Sequence, residues 1–158
     1  MKIGRVLKIN DTLQPDVWTD NQLNEEVSEK LEKIATDFFE SFGLEGVEID
    51  DITFTGSLAN YNWTKYSDID LHILVDFKKI DDNTDLVKEF FNAKSSLWNK
   101  MHEILVKNYE IEIYVQDTNE EHYSTGVYSV KNNKWLVEPK RQEPKVNTDM
   151  VKRKIKSF

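Results

Sequence analysis

Residues 55–77 read Thr55-Gly56-Ser57-Leu58-Ala59-Asn60-Tyr61-Asn62-Trp63-Thr64-Lys65-Tyr66-Ser67-Asp68-Ile69-Asp70-Leu71-His72-Ile73-Leu74-Val75-Asp76-Phe77. A short strand signal, Ile52 to Thr55, ends at Gly56-Ser57, and a polar segment follows. The chain then returns as a strand expected over 68–77. Ile69, Leu71 and Ile73 share one face of that strand, and Asp68, Asp70 and His72 share the other. Glycine lets a backbone approach a phosphate closely. The Ser57 hydroxyl and the amides after it suit phosphate oxygens, more so if a helix begins there. Asp68 and Asp70 project in parallel, as oxygen ligands for a hard divalent cation do. A third carboxylate from the next strand would complete a two-metal site, with ions about 3.5–4 Å apart.

The next strand signal is Tyr109 to Gln116, which alternates throughout. Ile111, Ile113 and Val115 form its apolar face; Glu110, Glu112 and Tyr114 form the other. No lysine or arginine shares the face bearing Asp68, Asp70, Glu110 and Glu112. A solvated face ordinarily mixes signs, so this one points to a cation from outside the chain.

Two helices are expected to cover the apolar face. The first runs over 20–42, with Leu23, Val27, Leu31, Ile34, Phe38 and Phe42 in one stripe, Thr19 and Gln22 as a capping box and Gly43 as the stop. The second runs over 83–107, with Leu86, Phe90, Leu97, Met101, Ile104 and Leu105 as its stripe, widened by Phe91 and Trp98. Asp81 and Asp82 are its expected cap. Val127 to Val137 reads as a hairpin turning at Asn132-Asn133. Residues 1–18 carry no clear signal. The order implies an α/β (α+β) fold: a small mixed sheet with helices on one face and an acidic opposite face.

With 158 residues, one domain is expected, and the absence of cysteine excludes a disulfide scaffold, a thiolate zinc site and a thiol nucleophile. His72, His102 and His122 are scattered, so no zinc site is expected. No apolar run nears the roughly 20 residues of a membrane span. The segment MKIGRVLKIN has no signal-peptide character, so a cytoplasmic protein is expected. Net charge is −8, unevenly spread. Residues 139–158 hold seven basic and two acidic side chains, which leaves residues 1–138 at net −13. Such a body repels a bare polyanion, and the basic tail alone would attract one.

The string Thr55-Gly56-Ser57, ten residues, then Asp68-Ile69-Asp70-Leu71 resembles the signature of the DNA polymerase β-like nucleotidyltransferase superfamily. It looks most like the small stand-alone members, the minimal nucleotidyltransferases of bacteria and those of tailed phages. The resemblance covers about residues 50–118. It implies a nucleotidyltransferase domain over 1–138 with a basic C-terminal tail over 139–158. It also implies transfer of a nucleoside monophosphate from an NTP, ATP foremost, to a hydroxyl, with release of pyrophosphate. Gly56 and Ser57 would bind the triphosphate and Lys65 would reach a phosphate. Asp68, Asp70 and a third carboxylate would hold two Mg²⁺ ions, or Mn²⁺. Glu112 fits that third position best, with Glu110 in reserve. The acceptor would be a protein side chain, a small molecule or an RNA end, with a homodimer or partner protein supplying its recognition, because the residues after Gln116 leave no room for a helical acceptor domain. The alternative is a catalytically incomplete binding module, antitoxin-like or nucleotide-sensing. A glycosyltransferase would leave the Gly-Ser turn unused. Tyr114 is placed to stack on a base or to fill space; Trp63 lies in a polar loop; His72 reads as hydrogen-bonded structure.

Overall fold

The computed structural model describes residues 9–120 and 125–141. Residues 1–8, His122 and the tail from 142 onward lie outside the described residues. The fold is α+β. Strands β1 (Trp18–Thr19) and β2 (Gln22–Leu23) form a small hairpin, followed by helix α1 (Glu25–Glu40). Strands β3 (Asp51–Thr55) and β4 (Ile69–Val75) follow, then helix α2 (Thr84–Met101). Strands β5 (Leu105–Val106), β6 (Tyr109–Asp117), β7 (Val127–Ser129) and β8 (Lys134–Val137) complete the described elements. The six-stranded sheet has the order β5-β6-β4-β3-β7-β8. Among the described strands only β4 and β6 pair in parallel. A parallel pair needs a long crossover, and α2 supplies it.

The alternation works as the sequence requires. Ile69, Leu71, Ile73, Ile111 and Ile113 are buried, together with Val27, Leu31 and Phe38 of α1 and Phe91 of α2. Trp18, Tyr128 and Trp135 close the other end, with Trp18 and Trp135 stacked at 4.7 Å. Residues 9–18 are part of this packing, which the sequence did not signal. Leu13 and Val17 are buried, and the Asn10 side chain donates to the carbonyls of Tyr61 and Trp63.

Both helices are shorter than their periodicity suggested. The first starts at Glu25, not residue 20, because Asp20 and Asn21 take positive φ in the turn of β1–β2. Thr19 and Gln22 face each other across that turn, so they are no capping box. Helix α1 ends at Glu40, and Gly43 lies just beyond it with φ 61°. Helix α2 ends at Met101, because Lys107 and Asn108 make a second such turn joining β5 to β6. Its cap is Asn83, whose side chain accepts from the Leu86 amide, while Asp81 accepts from the Asn83 amide. The buried face of α2 is also shifted by one residue. Val87, Phe91 and Ser95 face the core, whereas Leu86, Phe90, Leu97 and Met101 are exposed, as is Leu105.

Where the expected basic tail begins, Arg141 pairs with Asp11 at 2.6 Å and donates to the Asn10 carbonyl. No helix among the described residues is long and apolar enough to cross a membrane.

Candidate active site

The site begins where β3 ends. Gly56 has φ 86° and ψ −169°, a conformation in which a side chain is strained. It also has no room for one. A Cβ at Gly56 would fall on Asp70 Oδ2 and lie 3.2 Å from Asp70 Cγ. A single 3₁₀ turn, Ser57–Ala59, follows in place of the longer helix that would best serve a phosphate. Two residues that the sequence did not single out brace this turn. The Asn60 side chain donates to the Gly56 carbonyl at 2.8 Å and to the Thr125 carbonyl at 3.2 Å. Gly126, at φ 71°, passes so close to Asn60 that a Cβ would collide with it. Ser57 Oγ donates to Ser67 Oγ at 2.7 Å, and Ser67 Oγ also accepts from the Thr64 amide.

Sheet register brings the carboxylates in. Asp68 immediately precedes β4, Asp70 is its second residue, and Asp70 lies directly opposite Glu112 of the parallel β6. Glu110 is exposed and sits opposite Leu105 of β5, and it is the Glu112 charge that acts on both Asp68 and Asp70. Burial, then the Glu112 charge, then the Asp68 charge push the Asp70 carboxyl up to about 6. Burial and the Glu112 charge raise Asp68 as well. Among the described residues no lysine or arginine forms an ion pair with Asp68, Asp70 or Glu112. Lys65 is exposed, with its ammonium 5.0 Å from the ring centre of Tyr66. Trp63 is a structural residue, its indole N–H donating to the Thr12 carbonyl.

Among the described residues no three His, Cys, Asp or Glu side chains stand at the spacing that would hold a metal ion. Asp70 lies against Gly56, and Glu112 Oε2 accepts a 2.6 Å hydrogen bond from the Tyr114 hydroxyl. Burial, the hydrogen bond to Glu112 and the three carboxylate charges strongly favour the protonated Tyr114 phenol. The Tyr114 ring stacks on His72 at 5.2 Å.

A groove of about 430 Å³ opens beside Glu112, between β6 and the polar face of α2. Asn92, Ser95, Asn99 and Lys100 form the helix side, and Glu112 and Tyr114 the strand side. Ser95 Oγ is buried without a hydrogen-bond partner among the described residues. Asn99 stands in for a neighbouring strand at the edge of β6: its amide donates to the Ile113 carbonyl at 3.1 Å and accepts from the Ile113 amide at 2.9 Å. A smaller hollow, about 170 Å³, lies beyond and shares Asn92 and Tyr114 as walls. Nothing in the sequence marks Asn92, Ser95 or Asn99, because the polar face of a helix reads as solvated until its neighbour is known.

No curated protein and no solved structure matches the chain. Residues 2–112 match a family model described as SidM, N-terminal domain. The match spans Gly56, Ser57, Asp68 and Asp70 and ends on Glu112, so it takes in the turn and all three carboxylates. It covers well over half of the chain, and on that ground the chain belongs to the SidM N-terminal domain family.

Proposed function

We propose that this chain is a nucleotidyltransferase of the DNA polymerase β-like kind. It would move a nucleoside monophosphate from an NTP, ATP foremost, to a hydroxyl and release pyrophosphate. The observation that carries this reading is the contact of the Asp70 carboxylate with Gly56, with Glu112 directly opposite Asp70. It joins a phosphate-type turn and a cluster of unneutralised carboxylates in one place. The donor set fits the metal that such chemistry uses, being all carboxylate oxygen, partly desolvated and without a cation of the protein's own. Asp68, Asp70 and Glu112 would hold two Mg²⁺ ions, or Mn²⁺. When bound, these supply charge neutralisation for the phosphates and lower the acceptor hydroxyl's hold on its proton.

The chain's own groups would do the rest. The Gly56 turn lets phosphate oxygens approach backbone amides. Ser57 would exchange its hydrogen bond to Ser67 for one to a phosphate oxygen. Glu112 would receive the acceptor's proton, and the groove beside it would admit the acceptor. A small molecule or a protein side chain fits the net charge of −13 over residues 1–138 better than a long RNA does. A cysteine-free chain working on an NTP suits the cytoplasm. The second reading is a nucleotide-binding module without turnover. It draws on the hydrogen bond that engages Glu112 with Tyr114.

Pyrophosphate release from each of the four NTPs with Mg²⁺, across a panel of acceptors, tests this. Turnover that is lost in Asp68→Ala and in Asp70→Ala supports transfer. Tight NTP binding without pyrophosphate supports the binding module. Neither binding nor turnover removes both.

A further inference from the structure

Tyr114 follows Glu112 by two residues on the same face of β6 and is 39% exposed. A tyrosine so exposed has water available to its hydroxyl. This one leans back along the strand and donates to Glu112 Oε2 at 2.6 Å. Stacking on His72 at 5.2 Å supports the ring in that direction. Three other tyrosines of the described residues are placed differently. Tyr109 and Tyr128 are buried, with hydroxyls bonded to Gln14 and Asn133. Tyr66 is 80% exposed on the loop before Asp68. The hydroxyls of Ser57 and Ser67 bond each other on the phosphate side of the carboxylates. Tyr114 therefore carries the described hydroxyl that is hydrogen-bonded to one of the three carboxylates.

We propose that Tyr114 is a self-modification site, an acceptor hydroxyl in cis that takes the nucleoside monophosphate from an NTP bound at Gly56-Ser57. The inference rests on the nucleotidyltransferase reading above. Tyr114 Oη attacks the α-phosphorus and forms a new O–P bond. The bond from that phosphorus to the oxygen bridging to the β-phosphate breaks, and pyrophosphate leaves with the electron pair. The phenolic proton passes to Glu112, already its hydrogen-bond acceptor, so no further reactant is needed. The product is a phosphodiester between Tyr114 and the nucleoside. Tyr114 lines both the groove of about 430 Å³ and the smaller hollow. The attached nucleotide would occupy the acceptor's entrance, and Glu112 would lose its donor. The modification is therefore self-limiting, one per chain.

The test uses the full chain with Mg²⁺ and ATP, then the other NTPs. Intact mass and peptide sequencing by mass spectrometry are read beside pyrophosphate release. Calorimetric binding of a non-hydrolysable ATP analogue is measured on the same preparation. The expected result is one nucleotide per chain on Tyr114, at a rate per chain independent of protein concentration. Tyr114→Phe should carry no label while still binding the analogue. Asp70→Asn chains mixed with wild type should stay unmodified, although they keep Tyr114. Label on another residue, equal label in Tyr114→Phe, or label on the Asp70→Asn chains overturns the inference and leaves nucleotidyl transfer standing. Pyrophosphate release without any label on the chain overturns it in the same way. Analogue binding with neither label nor pyrophosphate overturns it together with nucleotidyl transfer and supports the binding module. Absence of both binding and turnover overturns it together with the nucleotidyltransferase reading.

Discussion

The Asp70 carboxylate rests against the Cα of Gly56, so that a Cβ there would fall on Oδ2 and 3.2 Å from Cγ. The turn and the central carboxylate are thus packed against each other, and a side chain at residue 56 would displace the Asp70 carboxylate. Gly56→Ala meets two costs, a positive φ and the displacement of Asp70. Together they amount to about 2–3 kcal/mol. Thermal denaturation should show a fall of roughly 5–10 °C for a chain of this size. An unchanged melting temperature would mean that the close contact is absent in solution.

Asp70 itself should limit the stability of the metal-free protein. Its carboxyl is raised from 3.8 to about 6 in the folded state. The folded state therefore holds the proton more tightly than the unfolded chain. The stability that this gives at acid pH is lost as pH rises from about 4 through 6. The gap corresponds to about 3 kcal/mol at most, and solvent screening of this half-buried group reduces it to about 1–2 kcal/mol. Asp70→Asn should therefore melt above wild type at neutral pH, with the difference shrinking towards pH 4.5. Added Mg²⁺ should raise wild type and leave Asp70→Asn nearly unmoved. At ten times the dissociation constant the gain is about 1.4 kcal/mol. Equal Mg²⁺ responses in the two proteins would contradict binding at these carboxylates.

The two faces of α2 should differ sharply on truncation. Phe91 is fully buried against Phe39, Phe42 and Phe77, whereas Met101 is 69% exposed. Phe91→Ala should cost about 3–5 kcal/mol in denaturant unfolding. Met101→Ala should stay within about 0.5 kcal/mol. Comparable losses at both positions would mean that Met101 is covered in solution.

Asn99 replaces a missing strand neighbour at Ile113. Asn99→Ala leaves one amide and one carbonyl of β6 without that partner, at about 1–3 kcal/mol if water cannot replace it. Hydrogen exchange at the Ile113 amide should quicken, with amides of β3 and β4 unaffected. Unchanged protection at Ile113 would contradict the strand-like role of Asn99.

The carboxylate face was legible in the sequence because it depends on local rules. A period of two put Asp68 with Asp70 and Glu110 with Glu112, and a glycine marked the turn. That Glu112 lies opposite Asp70 depends on the parallel register, which lies outside either strand's own sequence. The helix ends were misjudged because Asp20-Asn21 and Lys107-Asn108 turn the chain by adopting positive φ inside apparently continuous periodicity. The stripe Leu86, Phe90, Leu97, Met101 and the stripe Val87, Phe91, Trp98 fit a helix equally well. The crossover from β4 to β6 decides between them. Asn60, Asn99 and Gly126 act through contacts with distant residues, so their own neighbours in sequence carry no sign of them.

The most direct measurement follows both ends of the triphosphate in one reaction. NTP labelled at the α-phosphorus and NTP labelled at the γ-phosphorus are incubated with the protein, Mg²⁺ and acceptors. The expected result is α-label transferred to a hydroxyl and γ-label released as pyrophosphate. Both should fall at least about 100-fold in Asp68→Ala and Glu112→Gln, and stay within about threefold of wild type in Glu110→Gln. Release of γ-label as orthophosphate, or α-label transfer that survives Asp68→Ala, would contradict nucleotidyl transfer at these carboxylates.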